Sequence, residues 1–173
     1  MRRKTGNQVA PAPVQHISVT GSYVDGTGLM NWSSLQMSTK TLPESHADLL
    51  DGPNFAHLAT VRPDGSPQSS VMWFAWDGSR LRLTHTKTRQ KFANLEKEPR
   101  VALSIADPSD QYRFIEVRGS VESIEDDDAT ASFYQSLQKR YGMEYPIPDA
   151  DVRVIITIKP DTFVAVTGGS VHS

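Results

Sequence analysis

The sequence has no cysteine among its 173 residues, which excludes disulfides, thiolate zinc sites and cysteine nucleophiles. It also has no apolar run near the ~18 residues that a membrane-spanning helix needs, so no membrane partner is expected. The net charge is −2, so no overall positive field attracts nucleic acid. Because a chain without disulfides suits a reducing compartment, we expect a cytoplasmic protein that binds neither membrane nor nucleic acid.

Several catalytic motifs are missing as well. The histidines form no HxH or HExxH pattern and are far apart, at His16, His46, His57, His85 and His172, so no metal site is predicted. The sequence also lacks the GxSxG motif of serine hydrolases, a Walker loop and a GxGxxG turn. These absences exclude the common signatures of hydrolases, P-loop enzymes and Rossmann dehydrogenases.

The chain divides into two regions of different composition. Residues 1–36 mix small and polar residues without a sustained period, and Met37 resembles a natural chain start. We predict that 1–36 is a flexible N-terminal extension from a cloning leader or an earlier start codon, with one or two weak strands such as His16–Thr20. The alternative is an ordered arm that packs on a partner subunit through Trp32 and Leu35. Residues 37–173 are predicted to form the folded domain.

A regular alternation of short segments begins at Pro43. Turn signals at 63–66 and at Asp77-Gly78 make the first three strands an antiparallel meander, and Gly119 predicts a bulge or a close backbone approach. Helices are predicted over 43–50, 88–98 and 126–141, and strands over 55–61, 68–76, 80–86, 100–106, 112–124, 152–158 and 162–166. This pattern predicts a mainly β protein, with a small closed barrel of about six to seven antiparallel strands and helices outside it.

The junction between the third strand and the second helix carries an unusual charge arrangement. Lys87, Arg89 and Lys91 stand at the start of this helix, and Glu96 and Glu98 near its end. Cations favour a helix C-terminus and carboxylates an N-terminus, so both ends break the rule. An external anion held by cations, threonine hydroxyls and free helix N–H groups would explain the arrangement. The alternative is a solvated helix start with its cations along the surface.

The order and spacing of several segments from Leu42 to Val166 resemble one known family, the split β-barrel flavin- and deazaflavin-binding proteins related to pyridoxamine 5′-phosphate oxidase. The segments are His57–Gln68, Trp73-Phe74, Thr88–Lys91, Asn94-Leu95, Pro99–Val101, Tyr112 and Glu116–Gly119. Within the family, the chain is most similar to the actinobacterial branch that uses the deazaflavin coenzyme F420.

This resemblance implies a split β-barrel and a homodimer with two cofactors in clefts at the subunit interface. It also implies cofactor contacts at ten positions. Arg89 and Lys91 match the residues that bind the cofactor phosphate. The other implied positions are Gln68, Ser69, Ser70, Trp73, Thr84, Thr88, Asn94 and Tyr112, of which Trp73 and Tyr112 match positions near the ring system or the opposite subunit.

The implied function is hydride transfer from reduced F420 to a conjugated small-molecule acceptor, such as a tetrapyrrole like biliverdin or a quinone-like compound. The cofactor carries this chemistry, so no catalytic side chain is predicted. The C-terminal segment 164–169 has none of the basic residues with which the oxidase binds its substrate phosphate, so the resemblance does not extend to that reaction. Two alternatives remain open: an FMN-dependent oxidase or reductase, and a non-enzymatic protein that binds a flavin, deazaflavin or haem-type ligand.

Overall fold

The computed structural model describes residues 15–25, 28–110 and 112–168. Its nine strands are β1 (Gln15–Asp25), β2 (Gly28–Thr39), β3 (Ala56–Val61), β4 (Pro67–Met72), β5 (Phe74–Trp76), β6 (Leu81–Thr86), β7 (Arg100–Ala106), β8 (Phe114–Asp126) and β9 (Arg153–Thr167). The helices are α1 (Ala47–Asp51), α2 (Gln90–Lys97) and α3 (Ser132–Arg140), with 3₁₀ turns at Glu44–His46 and Ala150–Val152.

The strands close into an antiparallel ring. Along one side β9 pairs with β8, β8 with β7, β7 with β3, and β3 with β4. Along the other side β9 pairs with β6, and β6 with β5. Because β4 and β5 are consecutive segments, the ring has six sides, and its interior is filled by buried apolar side chains such as Leu58, Phe74, Leu103, Ile115 and Ile156. The predicted mainly β barrel with flanking helices is confirmed.

One predicted strand is interrupted. We expected a continuous strand over 68–76, but the structure divides it at Trp73, where the chain changes partner. Met72 pairs with Ala56 of β3, whereas Phe74 pairs with Leu83 of β6. The backbone N–H of Phe74 donates to the hydroxyl of Tyr141 at 3.1 Å, so a side chain replaces a strand partner at the interruption.

Two predicted strands are instead a single one. The segments 152–158 and 162–166 were expected to be separated at Lys159-Pro160-Asp161, but β9 runs without a break. Pro160 pairs with Gly119 at a register shift between β9 and β8. A Cβ on Gly119 would lie 2.3 Å from the carbonyl oxygen of Lys159, which confirms the predicted close approach. A proline, which has no N–H, is tolerated at such an irregularity.

Two helix starts also differ from the prediction. β8 continues to Asp126, so α3 begins at Ser132 rather than near 126. The carboxylate of Asp127 accepts the N–H groups of Phe133 at 3.2 Å and Tyr134 at 3.1 Å, so an acidic side chain satisfies the first backbone donors of α3. The segment predicted as one helix over 43–50 begins with the 3₁₀ turn and becomes α1 only at Ala47.

The N-terminal region contributes two strands to the described structure. β1 and β2 form a hairpin, and residues 35–39 of β2 pair with residues 163–167 of β9. The expected weak strands are therefore present and longer than His16–Thr20. Residues 1–14 and 26–27 lie outside the described residues, and the flexibility, origin and partner-binding roles assigned to 1–36 stay predictions.

Across the described residues, no helix combines the length and apolar character needed to cross a bilayer.

Candidate functional site

The barrel opens where β4 and β6 separate. The two sides of the ring are joined between residues 74–76 and 81–83. Beyond this point, residues 70–72 pair only with β3 and residues 84–86 only with β9, so one edge of each strand faces a gap. A cavity of about 310 Å³ lies there, and its lining includes Ser70, Met72, His85, Arg89, Lys91 and Arg153. We call it the cation cavity.

A second cavity of about 310 Å³ adjoins the first and shares Val71, Met72, Thr84 and His85 with it. Its remaining lining is aromatic: Trp73, Tyr134 and Tyr145. We call it the aromatic cavity. The gap between β4 and β6 thus offers a charged compartment beside an apolar one, which is the arrangement of a site for a ligand with a flat ring and an anionic group.

Lys91 is the most unusual residue of the cation cavity. Its side chain is buried, with 5% exposure, and its ammonium group donates to the thioether sulfur of Met72 at 2.7 Å, a weak acceptor. Burial, and then the nearby Arg89, lower the pKa of Lys91 to about 8. Within the described ranges neither Lys91 nor Arg89 has a carboxylate within 4 Å. A buried cation without a counter-ion is costly, and an external anion would supply one.

Lys87 does not belong to this group. It lines neither cavity, and its ammonium group forms an ion pair with Asp126 at 2.5 Å; its predicted contribution to the anion site stays a prediction. The third cation of the cavity is Arg153, which sequence reasoning missed. It already binds the carboxylate of Asp149 at 2.9 and 3.1 Å, and its guanidinium lies 3.6 Å from the ring centroid of Tyr134.

Two buried polar atoms of residues that line these cavities lack a hydrogen-bond partner among the described residues. They are the hydroxyl oxygen of Ser70 and the Nε2 atom of His85, and both are buried. Burial is the main cause that lowers the pKa of His85 to about 4, with further contributions from Lys91, Arg89 and Arg153, so its imidazole is neutral near pH 7. A buried polar atom left unpaired is unfavourable, so both atoms indicate a ligand.

Asn94 and Gln68 are brought together beside the cavity but do not line it. The fully buried amide of Asn94 donates to Gln68 at 2.9 Å and to Thr60 at 3.0 Å, and accepts from Gln90 at 2.9 Å. These bonds attach α2 to β3 and β4. The structure therefore gives Asn94 a supporting position, and its predicted contact with a cofactor stays a prediction.

Three other predicted site residues lie outside both cavities. Ser69 is exposed on the face of β4 opposite Ser70. Thr88 is exposed just before α2, with its hydroxyl 3.4 Å from that of Thr86. Tyr112 is 53% exposed in the loop before β8, against Gly168. Their predicted roles remain untested, whereas Ser70, Trp73, Thr84, Arg89 and Lys91 do line the cavities.

The aromatic cavity is built around Trp73. One face of its ring stacks on Tyr141, with centroids 4.9 Å apart and planes 10° apart. Tyr134 and Tyr145 lie at 6.2 and 6.1 Å. The side-chain amide of Gln138 bonds to both the N–H and the carbonyl of Tyr145, which holds this residue at the cavity. Trp76, in contrast, packs edge-on against Phe163 in the core.

The site residues that sequence reasoning missed include His85, Tyr134, Tyr145 and Arg153. His85 was treated as an ordinary strand residue. The other three are far along the chain and reach the gap only because β9 pairs with β6 and α3 packs beside them. The described residues contain no group of three or more His, Cys, Asp or Glu placed to hold a metal ion.

Comparison with known proteins is consistent with this geometry. The profile of the pyridoxamine 5′-phosphate oxidase family matches residues 42–167. A solved structure described as an F420 reductase is 50% identical, covers 70% of this chain and 98% of its own, and superposes with a TM-score of 0.68. No match was found among curated protein sequences.

Two further solved structures are more distant. General stress protein 26 from Bacillus anthracis is 28% identical over 69% of this chain and 89% of its own, with a TM-score of 0.52. A conserved hypothetical protein from Mycobacterium tuberculosis is 27% identical over 70% of this chain and 83% of its own, with a TM-score of 0.55.

Proposed function

This chain belongs to the pyridoxamine 5′-phosphate oxidase family, and we propose that it is an oxidoreductase that binds coenzyme F420 and reduces a conjugated small molecule. The family and the F420 reductase neighbour support an oxidoreductase of the flavin or deazaflavin type. The choice of F420 over FMN is supported by that neighbour, which matches over nearly its whole length.

The observation that carries the proposal is the gap between β4 and β6. It presents Arg89 and Lys91, which have no carboxylate partner in the part of the chain that the structure describes, together with the Ser70 hydroxyl, which has no partner there either. This donor set fits the phosphate of F420 or FMN, because charged donors and a hydroxyl bind phosphate oxygens. The residue at the N-terminal boundary of α2 is Arg89, and no side chain caps this helix, so free backbone N–H groups add to the donor set.

Each compartment has a defined part in this function. Arg89 and Lys91 bind the phosphate and fix the cofactor's position along the gap. Trp73, Tyr134 and Tyr145 offer ring faces to a planar group and exclude water beside it. When bound, the deazaflavin supplies the hydride chemistry. The acceptor is proposed to be planar and conjugated, of the tetrapyrrole or quinone class, because the aromatic cavity suits such a shape.

Side-by-side titration of the purified protein with F420 and FMN tests the cofactor. We expect saturable binding of F420 and weaker binding of FMN, followed by absorbance and fluorescence. Tighter binding of FMN would replace F420 with the flavin alternative. Failure of both to bind would contradict the proposed function altogether.

Turnover distinguishes an enzyme from a carrier. The protein is mixed with reduced F420, with and without biliverdin or menadione, and oxidation of F420 is recorded. We expect oxidation that depends on both protein and acceptor. A protein that binds F420 but leaves its oxidation rate unchanged with every acceptor would be a carrier.

We also propose that the protein acts as a homodimer. The exposed apolar side chains include Val71 at the cavity mouth, Phe55, Tyr112 and Tyr145, which are 50–55% exposed in the single chain. Light scattering during size-exclusion chromatography should give twice the chain mass of 19.2 kDa, and a monomer at all concentrations would refute this assignment.

A further inference from the structure

His85 occupies the junction of the site, because it lines both the cation cavity and the aromatic cavity. It lies on β6. One edge of β6 pairs at this residue with Val154 of β9, and the other edge faces the gap. Its Nε2 atom is buried and unpartnered among the described residues. A neutral imidazole carries one donor and one acceptor nitrogen, so this atom has unused hydrogen-bonding capacity in a residue that lines both compartments.

Three positive charges from two elements surround His85. Arg89 and Lys91 approach from the start of α2, and Arg153 from β9. The one carboxylate that lines the same cavity, Asp149, is bound to Arg153. His85 therefore lies in an excess of positive charge, which disfavours its protonated form. Burial is the larger cause of the low pKa of His85 and these cations come after it; a bound anion would offset the contribution of the cations.

From this placement we propose that His85 is a ligand-binding residue that takes up a proton when an anionic group fills the cation cavity. In the ligand-free protein the imidazole is neutral. With a phosphate group beside Lys91 and Arg89, the imidazolium form gains a counter-ion, and its N–H donates to the ligand. Binding of the cofactor and binding of a proton at His85 are then coupled, and each strengthens the other. This inference rests on the proposed function, because it requires a phosphate-bearing ligand.

The structure also separates His85 from the other group that titrates in the cavity. The pKa of His85 is about 4 and that of Lys91 about 8 in the ligand-free protein. At pH 5.5 Lys91 is already protonated before the ligand arrives, so proton uptake at this pH belongs to His85 or to the ligand. Near pH 8.5 Lys91 is largely deprotonated in the ligand-free protein, so most of the proton uptake on binding belongs to Lys91.

Isothermal titration calorimetry of F420 binding at pH 5.5, in buffers with different ionisation enthalpies, counts the protons taken up per site. His85→Gln is the matched variant, since its amide keeps a polar group at the position but cannot accept a proton in this range. We expect the wild-type protein to take up about 0.2 proton more than the variant for a one-unit rise in the pKa of His85, and more for a larger rise. The comparison subtracts any proton exchanged by F420 itself.

A second measurement needs no variant. Histidine labelled with ¹⁵N reports the titration of His85 by NMR, with and without F420, and His57→Gln assists the assignment. We expect the pKa of His85 to rise by about one unit or more on binding. The deazaflavin ring compound without the phosphate group should raise it less.

The outcomes separate the two proposals. If F420 binds but neither the proton count nor the NMR titration of His85 responds, the role of His85 is overturned and the proposed cofactor site stands. If neither F420 nor FMN binds, the proposed function and the inference about His85 both fall.

Discussion

The two longest helices of this protein begin in opposite ways. At the start of α3, Asp127 and Asp128 accept backbone N–H groups, and the last turn carries Lys139 and Arg140. At the start of α2 there is no acidic residue and no side-chain cap, and Arg89 and Lys91 stand there instead. The start of α3 is therefore neutralised by carboxylates of the chain itself, whereas the start of α2 has no such carboxylate and is open to an external anion.

Cations at a helix start are unfavourable. Their presence at α2 is informative about function because α3, in the same fold, avoids them. The same fold does place a carboxylate at a helix start, since Asp127 accepts backbone N–H groups at α3. The positive start of α2 coincides with the gap between β4 and β6, where a ligand is able to reach it. The contrast therefore supports a binding role rather than a general tolerance of poor capping.

The largest expected effect comes from replacing the buried cation. Lys91→Met keeps the side-chain volume and removes the charge. It should weaken F420 binding by about 1.5–3 kcal/mol, as expected for a charged hydrogen bond. Lys97→Met, at the exposed last turn of the same helix, is the control and should bind normally. Fluorescence titration measures both, and equal affinities would remove Lys91 from the phosphate site.

The same variant should stabilise the ligand-free protein. The pKa of Lys91 falls from 10.5 to about 8 on folding, so the folded state releases a proton that the unfolded state keeps. Wild-type stability should therefore rise between pH 8 and pH 10.5, and burial of the charge below pH 8 costs about 3 kcal/mol at most. Lys91→Met should be more stable at pH 7 and lack this rise. Urea unfolding across this pH range measures it, and a destabilised variant would contradict the expectation.

An intermediate effect is expected when α3 loses its internal anion. Asp127→Ala leaves the N–H groups of Asp128, Phe133 and Tyr134 without their acceptor. Loss of such a cap should lower the free energy of unfolding by about 1–2 kcal/mol. Asp126→Ala breaks only the exposed ion pair with Lys87 and should cost no more than about 1 kcal/mol. Similar losses for the two variants would show that the cap contributes little.

The smallest effect should follow from making α2 resemble α3. Thr88→Asp places a carboxylate just before α2, near Arg89 and Lys91. We expect the ligand-free protein to gain about 0.3–1 kcal/mol of stability and F420 affinity to fall several-fold, because the carboxylate competes with the phosphate. Thr88→Asn, which has a similar shape without charge, should leave affinity nearly unchanged. If both variants bind F420 equally well, competition is absent.

Much of the barrel could be predicted from alternation and turn chemistry. β3, β6, β7 and α2 lie within one or two residues of their predicted bounds, because each is bounded by a turn or a proline. The interruption at Trp73 could not be predicted, since residues 68–76 alternate as one strand does and sequence does not show a change of partner. Pro160 led us to predict a break in the last strand. The strand continues because Pro160 pairs irregularly with Gly119, and a local pattern cannot reveal pairing with a residue 41 positions earlier.

The candidate site was predictable where its residues are close in sequence. Arg89 and Lys91 were identified because helix polarity is a local rule. His85 and Arg153 were not, because their significance depends on the pairing of β6 with β9 and on which atoms become buried. The ion pair of Lys87 was missed for the same reason: its partner Asp126 belongs to a strand that sequence reasoning ended at residue 124.

The gap between β4 and β6 has one more consequence, for the behaviour of the protein in concentrated solution. Each strand presents an edge there that no neighbouring strand covers, and such edges are templates on which a foreign strand can add. A cofactor bound as proposed would lie against both edges. Loss of the cofactor would therefore be expected to promote aggregation, so that supply of the ligand also protects the folded chain during synthesis and storage.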